Sequence, residues 1–313
     1  MTPTEDNLRK VGTAWQGIAA ISNHWLHLTY IVLGVVGWIY AGYKGTPEVQ
    51  ARIAYIALFF YVAGLFLFLL YFIYAYSRKS RYAEAMFCMH EAIHVLRDLT
   101  WYLQESSSTR APYNKDRVKS GLQDVINSVS EAFGIVTGVR TRACIKMIGG
   151  EPGDEHVVTL CRDSGSASRS GKRDARESNF HKLVENTDFR VIVEQHRDFY
   201  WSDNLAKHRD YSNTSVDKSP AYDGQWLLPY ISTLVLPIRY TLPKAEAEAT
   251  GVSSHTRYLG FLCLDTLGRN SFNKRYDVQM AAAIADGLSG VLNLWSIVER
   301  KRGSAGSGGS RRT

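Results

Sequence analysis

His90-Glu91-Ala92-Ile93-His94 carries the spacing of a zinc peptidase motif. Two histidines one helical turn apart can ligate zinc while the intervening glutamate activates water. Met89, Val95 and Leu96 around it are uncharged, as that motif prefers. The surroundings argue against the chemistry, because an apolar helix directly precedes it and no third ligand follows on a second helix. Glu105, Glu131 and His156 fall in segments with other assignments. We therefore read His90, Glu91 and His94 as one face of a helix and expect no zinc. A second fragment, Gly171-Lys172, fails as a phosphate loop because Arg173 stands where Ser or Thr is required. The four cysteines, Cys88, Cys144, Cys161 and Cys263, form no CxxC pair and read as reduced thiols, with Cys144 and Cys263 in the core of strands.

These groups must be held by elements of two kinds. The chain has 313 residues, 45% of them hydrophobic, which excludes a disordered protein. A mean hydropathy of -0.19 limits any membrane part to a minority of it. Residues 53–77 contain no charged side chain and, at about 1.5 Å per helical residue, reach about 37 Å, enough for a hydrocarbon core of about 30 Å. Residues 25–43 form an earlier apolar window with Trp25, Trp38, Tyr40 and Tyr43 near its ends. The short connection 44–52 makes the pair a hairpin. Arg9, Lys10, Arg78, Lys79 and Arg81 outweigh Lys44 and Arg52, which places both termini and the globular part in the cytoplasm, on an inner membrane.

Beyond the membrane, Met86, Met89, Ile93, Leu96, Thr100 and Leu103 repeat at spacings of three and four, predicting a helical stalk that pairs with a second copy. Serines and Pro112 end it. The domain plan is a segment 1–24, a transmembrane hairpin 25–77, a stalk and hinge 78–111, a globular domain 112–302 and a flexible tail 303–313. The net charge of +7 gathers beside the apolar run, in the loop 162–176 and in the tail, with no basic helix bearing stacking aromatics, so nucleic acid is not expected as a partner.

The globular part reads as α+β. It offers a helix over 118–133, a strand hairpin over 140–148 and 156–161, and a polar serine-rich loop 163–178. A helix over 180–195, a short strand 198–203, a loop 207–225, strands 230–240 and 258–265 and a helix from about 275 complete it.

The order of these elements, with the segments "DFYWSDNL", "YISTLVLPIRY" and "YLGFLCLDTLGRNSFNKRYDVQMAAAIADGL", resembles the GAF domain, a small-molecule sensor module, over about residues 117–300. The resemblance implies a central antiparallel sheet with helices on one face, a ligand pocket on the other and dimerisation through terminal helices. Asp265-Thr266 stands where cyclic-nucleotide-binding members carry Asn-Lys, and residues 203–226 hold His208 but no cysteine for a bilin. The implied pocket lies between the sheet and the loop 201–226, with Trp201, Tyr211, Tyr222 and Trp226 as planar walls and Asp203, Asn204 and Arg239 as polar groups. The expected function is a non-enzymatic, membrane-anchored sensor of a cytosolic small molecule, its identity open, acting as a homodimer on a separate output protein. Two rivals stand beside it: a nucleotide-activated, membrane-perturbing effector of bacterial defence, and the HExxH peptidase.

Overall fold

The computed structural model describes residues 29, 33–34, 36–37, 40, 46–108, 113–151, 153–166, 181–208, 210–214, 221–222, 225–226, 228–241 and 256–307, with only the backbone of Tyr222 and Trp226. Most of the expected first span, 25–43, the loop 167–180 and residues 308–313 lie outside the described residues. The chain divides into two compact units, Met1–Lys79 and Ser80–Thr313.

In the first unit, helix α1 (Pro47–Ser108) begins with proline at a position that needs no amide donor. An exposed Arg52–Glu48 ion pair of 3.3 Å lies in its opening turns. Its stretch Pro47–Leu70 holds an 18-residue window of mean hydropathy 2.5, none of it buried, and Phe59 and Phe66 within it, like Phe72 just beyond, are exposed. By length and composition this stretch can cross a membrane. The closing helix α4 (Asp277–Ser307) passes the same test within Asp277–Arg302, with an 18-residue window of mean hydropathy 1.4, but 44% of that window is buried and Ile284, Leu288 and Val291 belong to the core.

In the second unit the strands are β1 (Thr141–Gly149), β2 (His156–Arg162), β3 (His181–Lys182), β4 (Tyr200–Ser202), β7 (Ser232–Thr241) and β8 (Thr256–Thr266). They form one antiparallel sheet in the order β3-β2-β1-β8-β7-β4. A two-stranded ribbon, β5 (Ala221–Tyr222) with β6 (Gln225–Trp226), stands apart. Leu259 is an extra residue in β8 opposite the Ile238–Arg239 step, and a side chain on the adjacent Gly260 would overlap the Lys146 carbonyl.

Alternation assigns the two faces. Ala143, Ile145, Leu234, Leu236, Ile238, Leu262 and Leu264 meet α4 and helix α2 (Lys115–Thr137). Cys144, Val157, Val235, Phe261 and Cys263 face the other way, against Phe189 and Ile192 of helix α3 (Thr187–Glu194). α2 is capped at its start by Asn114, whose side-chain oxygen accepts from Asp116 N at 2.8 Å, and at its end by left-handed Gly138, φ 69°. The helix expected over 180–195 starts only at Thr187. Asn186 holds the preceding strand and loop instead, donating to Lys182 O at 2.9 Å and accepting from Thr214 N at 3.1 Å.

The expected stalk seam is corrected by one position. The buried face of α1 is Ala85, Met89, Ala92, Leu96, Leu99 and Leu103, which joins the core shared with α2 and α4, whereas Met86 and Ile93 are 54% and 47% exposed. Glycines let the helices approach: a Cβ on Gly121 would lie 2.7 Å from Leu99 Cδ2, and one on Gly287 2.9 Å from Leu96 Cδ1. The unit boundary at Ser80 accordingly takes this helical segment into the globular unit, earlier than the expected start at 112.

α3 ends with His196 in the left-handed region at φ 50° and Arg197 N donating to Ile192 O at 3.0 Å. Glycine is the usual residue there. The left-handed conformation costs a non-glycine residue about 1–2 kcal/mol, of which the extra flexibility of unfolded glycine takes back about 0.5–1. His196→Gly should therefore raise unfolding stability by about 0.5–1 kcal/mol in urea titrations.

Candidate functional site

Every second residue of β1 on the α3 side is Arg142, Cys144 or Lys146. Register places Arg142 opposite Asp265, and Cys144 opposite both Cys263 on β8 and Arg162 on β2. Thr233 on β7 lies on the far side of Asp265. Arg142, Cys144, Lys146, Arg162, Cys263 and Asp265 line a cavity of about 70 Å³ with His181, Asp188, Asn213 and Tyr230. That volume suits a group of about two water molecules, so it fits the head of a ligand and not a whole drug-sized molecule.

Asp188 is buried and Asp265 half-buried. Asp188 accepts from the Tyr211 hydroxyl at 3.3 Å and from Phe189 N at 2.9 Å, and burial pushes its pKa up to about 6. Burial also raises Asp265, opposed by the hydroxyl of Thr233, which donates at 2.6 Å, and by the charges of Arg162, Lys146 and Arg142. Lys146 Nζ and Arg162 Nη2 both donate to Thr159 Oγ1 at 3.3 Å, so one hydroxyl orients two cations. Tyr230 Oη accepts from Asn213 Nδ2 at 2.8 Å, and burial drives its pKa well above the usual phenol value. Three cations and two acids in one small cavity can recognise a compact polar group through charge-assisted hydrogen bonds, with Asp188 serving as donor or acceptor near neutral pH.

Of the seven residues expected at the pocket, none of the five whose side chains are described lines this cavity. Tyr211 comes nearest, through its hydrogen bond to Asp188. Trp201 packs on the α2/α4 side because alternation in β4 gives the α3 side to Tyr200; its buried Nε1 has no partner among the described residues. Trp201 and Tyr211 meet instead along an open groove of about 850 Å³, where Lys274 lies 5.9 Å from the Trp201 ring. The backbone of Asp203 ties loops together, its carbonyl accepting from Ser232 Oγ at 2.6 Å and Asn270 N at 2.9 Å. Asn204 is buried at the start of a short 3-10 turn, and its Oδ1 has no partner among the described residues. Arg239 pairs with Asp198 at 2.5 Å beyond the bulge of β8. The side chains of Tyr222 and Trp226 lie outside the described residues.

His90 and His94 lie at the surface with their Nε2 atoms 2.9 Å apart, on the side of α1 away from the core. Among the described residues no three His, Cys, Asp or Glu side chains gather as a metal site.

No protein-family model and no curated protein matches the chain. Among solved structures it is similar to the GAF domain of an Acinetobacter phosphoenolpyruvate-protein phosphotransferase, at 14% identity over 64% of this chain and 91% of that one, with a TM-score of 0.35. It is similar also to a free methionine-R-sulfoxide reductase from Neisseria meningitidis solved with its substrate, at 9% identity over 59% and 93%, TM-score 0.32. A far-red cyanobacteriochrome photoreceptor matches at 12% identity over 53% and 82%, TM-score 0.34.

Proposed function

We propose that the second unit is a GAF-like sensor that binds a small molecule with a compact, charged head group and acts by binding rather than catalysis. The observation that carries this reading is the cavity in which Arg142, Lys146 and Arg162 face buried Asp188 and half-buried Asp265. Pro47–Leu70, apolar and wholly exposed, serves as a membrane anchor, with the sensor on the cytoplasmic side and an earlier span completing a hairpin. Ligand binding would favour one arrangement of α1 and α4, which a second copy and a separate output protein would read.

A thermal-shift screen of small anionic and zwitterionic metabolites on the full-length protein in detergent tests the sensor. Arg162→Ala should weaken any binder by roughly tenfold or more, because a charge-assisted hydrogen bond contributes about 1.5–3 kcal/mol. A binder indifferent to both Arg162→Ala and Lys146→Ala lies elsewhere and refutes the assignment. For the anchor, the full-length protein should stay with membranes through an alkaline carbonate wash. Extraction by the wash would remove the anchoring role.

A further inference from the structure

We infer that Cys144 and Cys263 are a reversible dithiol–disulfide couple, oxidised by a hydroperoxide that enters the sheet-face cavity. Both are free thiols and both line that cavity. They are direct partners across the antiparallel β1–β8 pair, so their side chains leave the same face. Directly opposed residues of antiparallel strands have Cα atoms about 4.5 or 5.5 Å apart, and both spacings fall within the disulfide range of about 4.4–6.8 Å. Their backbone spacing is therefore compatible with the bond.

The surroundings divide the work between the sulfurs. The two thiols are hydrogen-bonded to each other, which pulls the Cys144 pKa below its usual value, aided by Arg162 and Lys146, and holds Cys263 above it. Cys144 is thus the thiol that gives up its proton more readily, and Cys263 the one that holds it. The Cys144 sulfur attacks the distal peroxide oxygen. The O–O bond breaks, and the alcohol (water, for hydrogen peroxide) leaves with the proton that Cys144 gave up, so Cys144 becomes a sulfenic acid. The Cys263 sulfur then attacks that sulfur, the S–O bond breaks, and hydroxide departs as water with the Cys263 proton. The thiols lose two electrons, which the hydroperoxide gains. Cys161 does not compete, because burial pushes it up to about 12 and it packs on the opposite side of the sheet.

The test treats full-length protein in detergent with hydrogen peroxide, whose two oxygens suit the cavity, blocks remaining thiols with N-ethylmaleimide and maps peptides without reduction. One linked pair joining Cys144 to Cys263, released by dithiothreitol, is expected, with Cys88 and Cys161 carrying maleimide. Cys263→Ser should leave Cys144 as a dimedone-reactive sulfenic acid, and Cys144→Ser should slow oxidation at Cys263 by at least about tenfold. Oxidation confined to Cys88 or Cys161, sulfinic acid at Cys144 without a cross-link, or no reaction in large excess overturns the inference. The wild-type map needs no substitution, so a variant that fails to fold does not shelter the idea. No ligand is required either: a formed disulfide beside an empty ligand screen sinks the sensor reading alone.

Discussion

Asp188→Asn should stabilise the protein at pH 7.5 by about 2–3 kcal/mol and by only about 1 kcal/mol at pH 4.5. Asp188 is 4% exposed, and burial raises its folded pKa to about 6, above an unfolded value of about 3.9. Between those values the folded state holds a proton that the unfolded chain has released, so stability falls as pH rises. The contribution is fully present below about pH 4 and lost on passing through about pH 6. At about 1.36 kcal/mol per pH unit, the gap is worth the stated amount. Asparagine keeps one oxygen to accept from Phe189 N and turns its amide NH2 into a donor toward the Tyr211 oxygen, without a charge to bury. Urea titrations of both proteins at the two pH values decide the matter, and an equal difference at both would mean that water already solvates the carboxylate. Such a cost at the wall of a cavity is consistent with a site whose acid awaits a ligand.

The sequence made the regular helices plain and concealed the site for one reason. Val118, Leu122, Val125, Ile126, Val129 and Phe133 announce the buried stripe of α2, because large apolar residues at helical spacing have few other uses. α1 is deceptive because its buried stripe alternates with small residues. Ala85 and Ala92 carry little apolar signal, whereas the conspicuous Met86 and Ile93 face outward. The cavity is concealed more deeply, since Arg142 and Asp265 lie far apart in sequence and become neighbours only through the β1–β8 register. Aromatic residues in a polar loop drew attention to Trp201, but a strand's two-residue period decides its side chain's direction, and β4 turns it away from the cavity. The charged residues inside the apolar pattern of β1 were the available signal. Arg142 and Lys146 share a strand face with Cys144, and a half-charged face must either meet solvent or line a polar site.

Asp277→Ala should cost about 3–4 kcal/mol, the largest loss expected from any single polar side chain here. Asp277 is fully buried at the first residue of α4. Its Oδ1 accepts from the Tyr82 hydroxyl of α1 at 2.6 Å and its Oδ2 from Asn273 N at 2.7 Å. Truncation removes the acceptor from both donors, each deficit costing about 1–3 kcal/mol, and removes a negative charge from the positive end of the helix, worth about 0.3–1 kcal/mol. Tyr82→Phe removes one of those bonds and should cost about 1.5–3 kcal/mol alone. Made in the Asp277→Ala background it should cost under about 1 kcal/mol, because the acceptor is already gone. Full additivity in that double-mutant cycle would show that the two side chains act independently. The cycle bears on function too, since this bond joins α1 to α4, whose relative arrangement the proposed sensor changes on binding. If the clamp holds in only one arrangement, Tyr82→Phe should alter ligand affinity although Tyr82 lines no part of the cavity, and unchanged affinity would place the clamp in both arrangements alike.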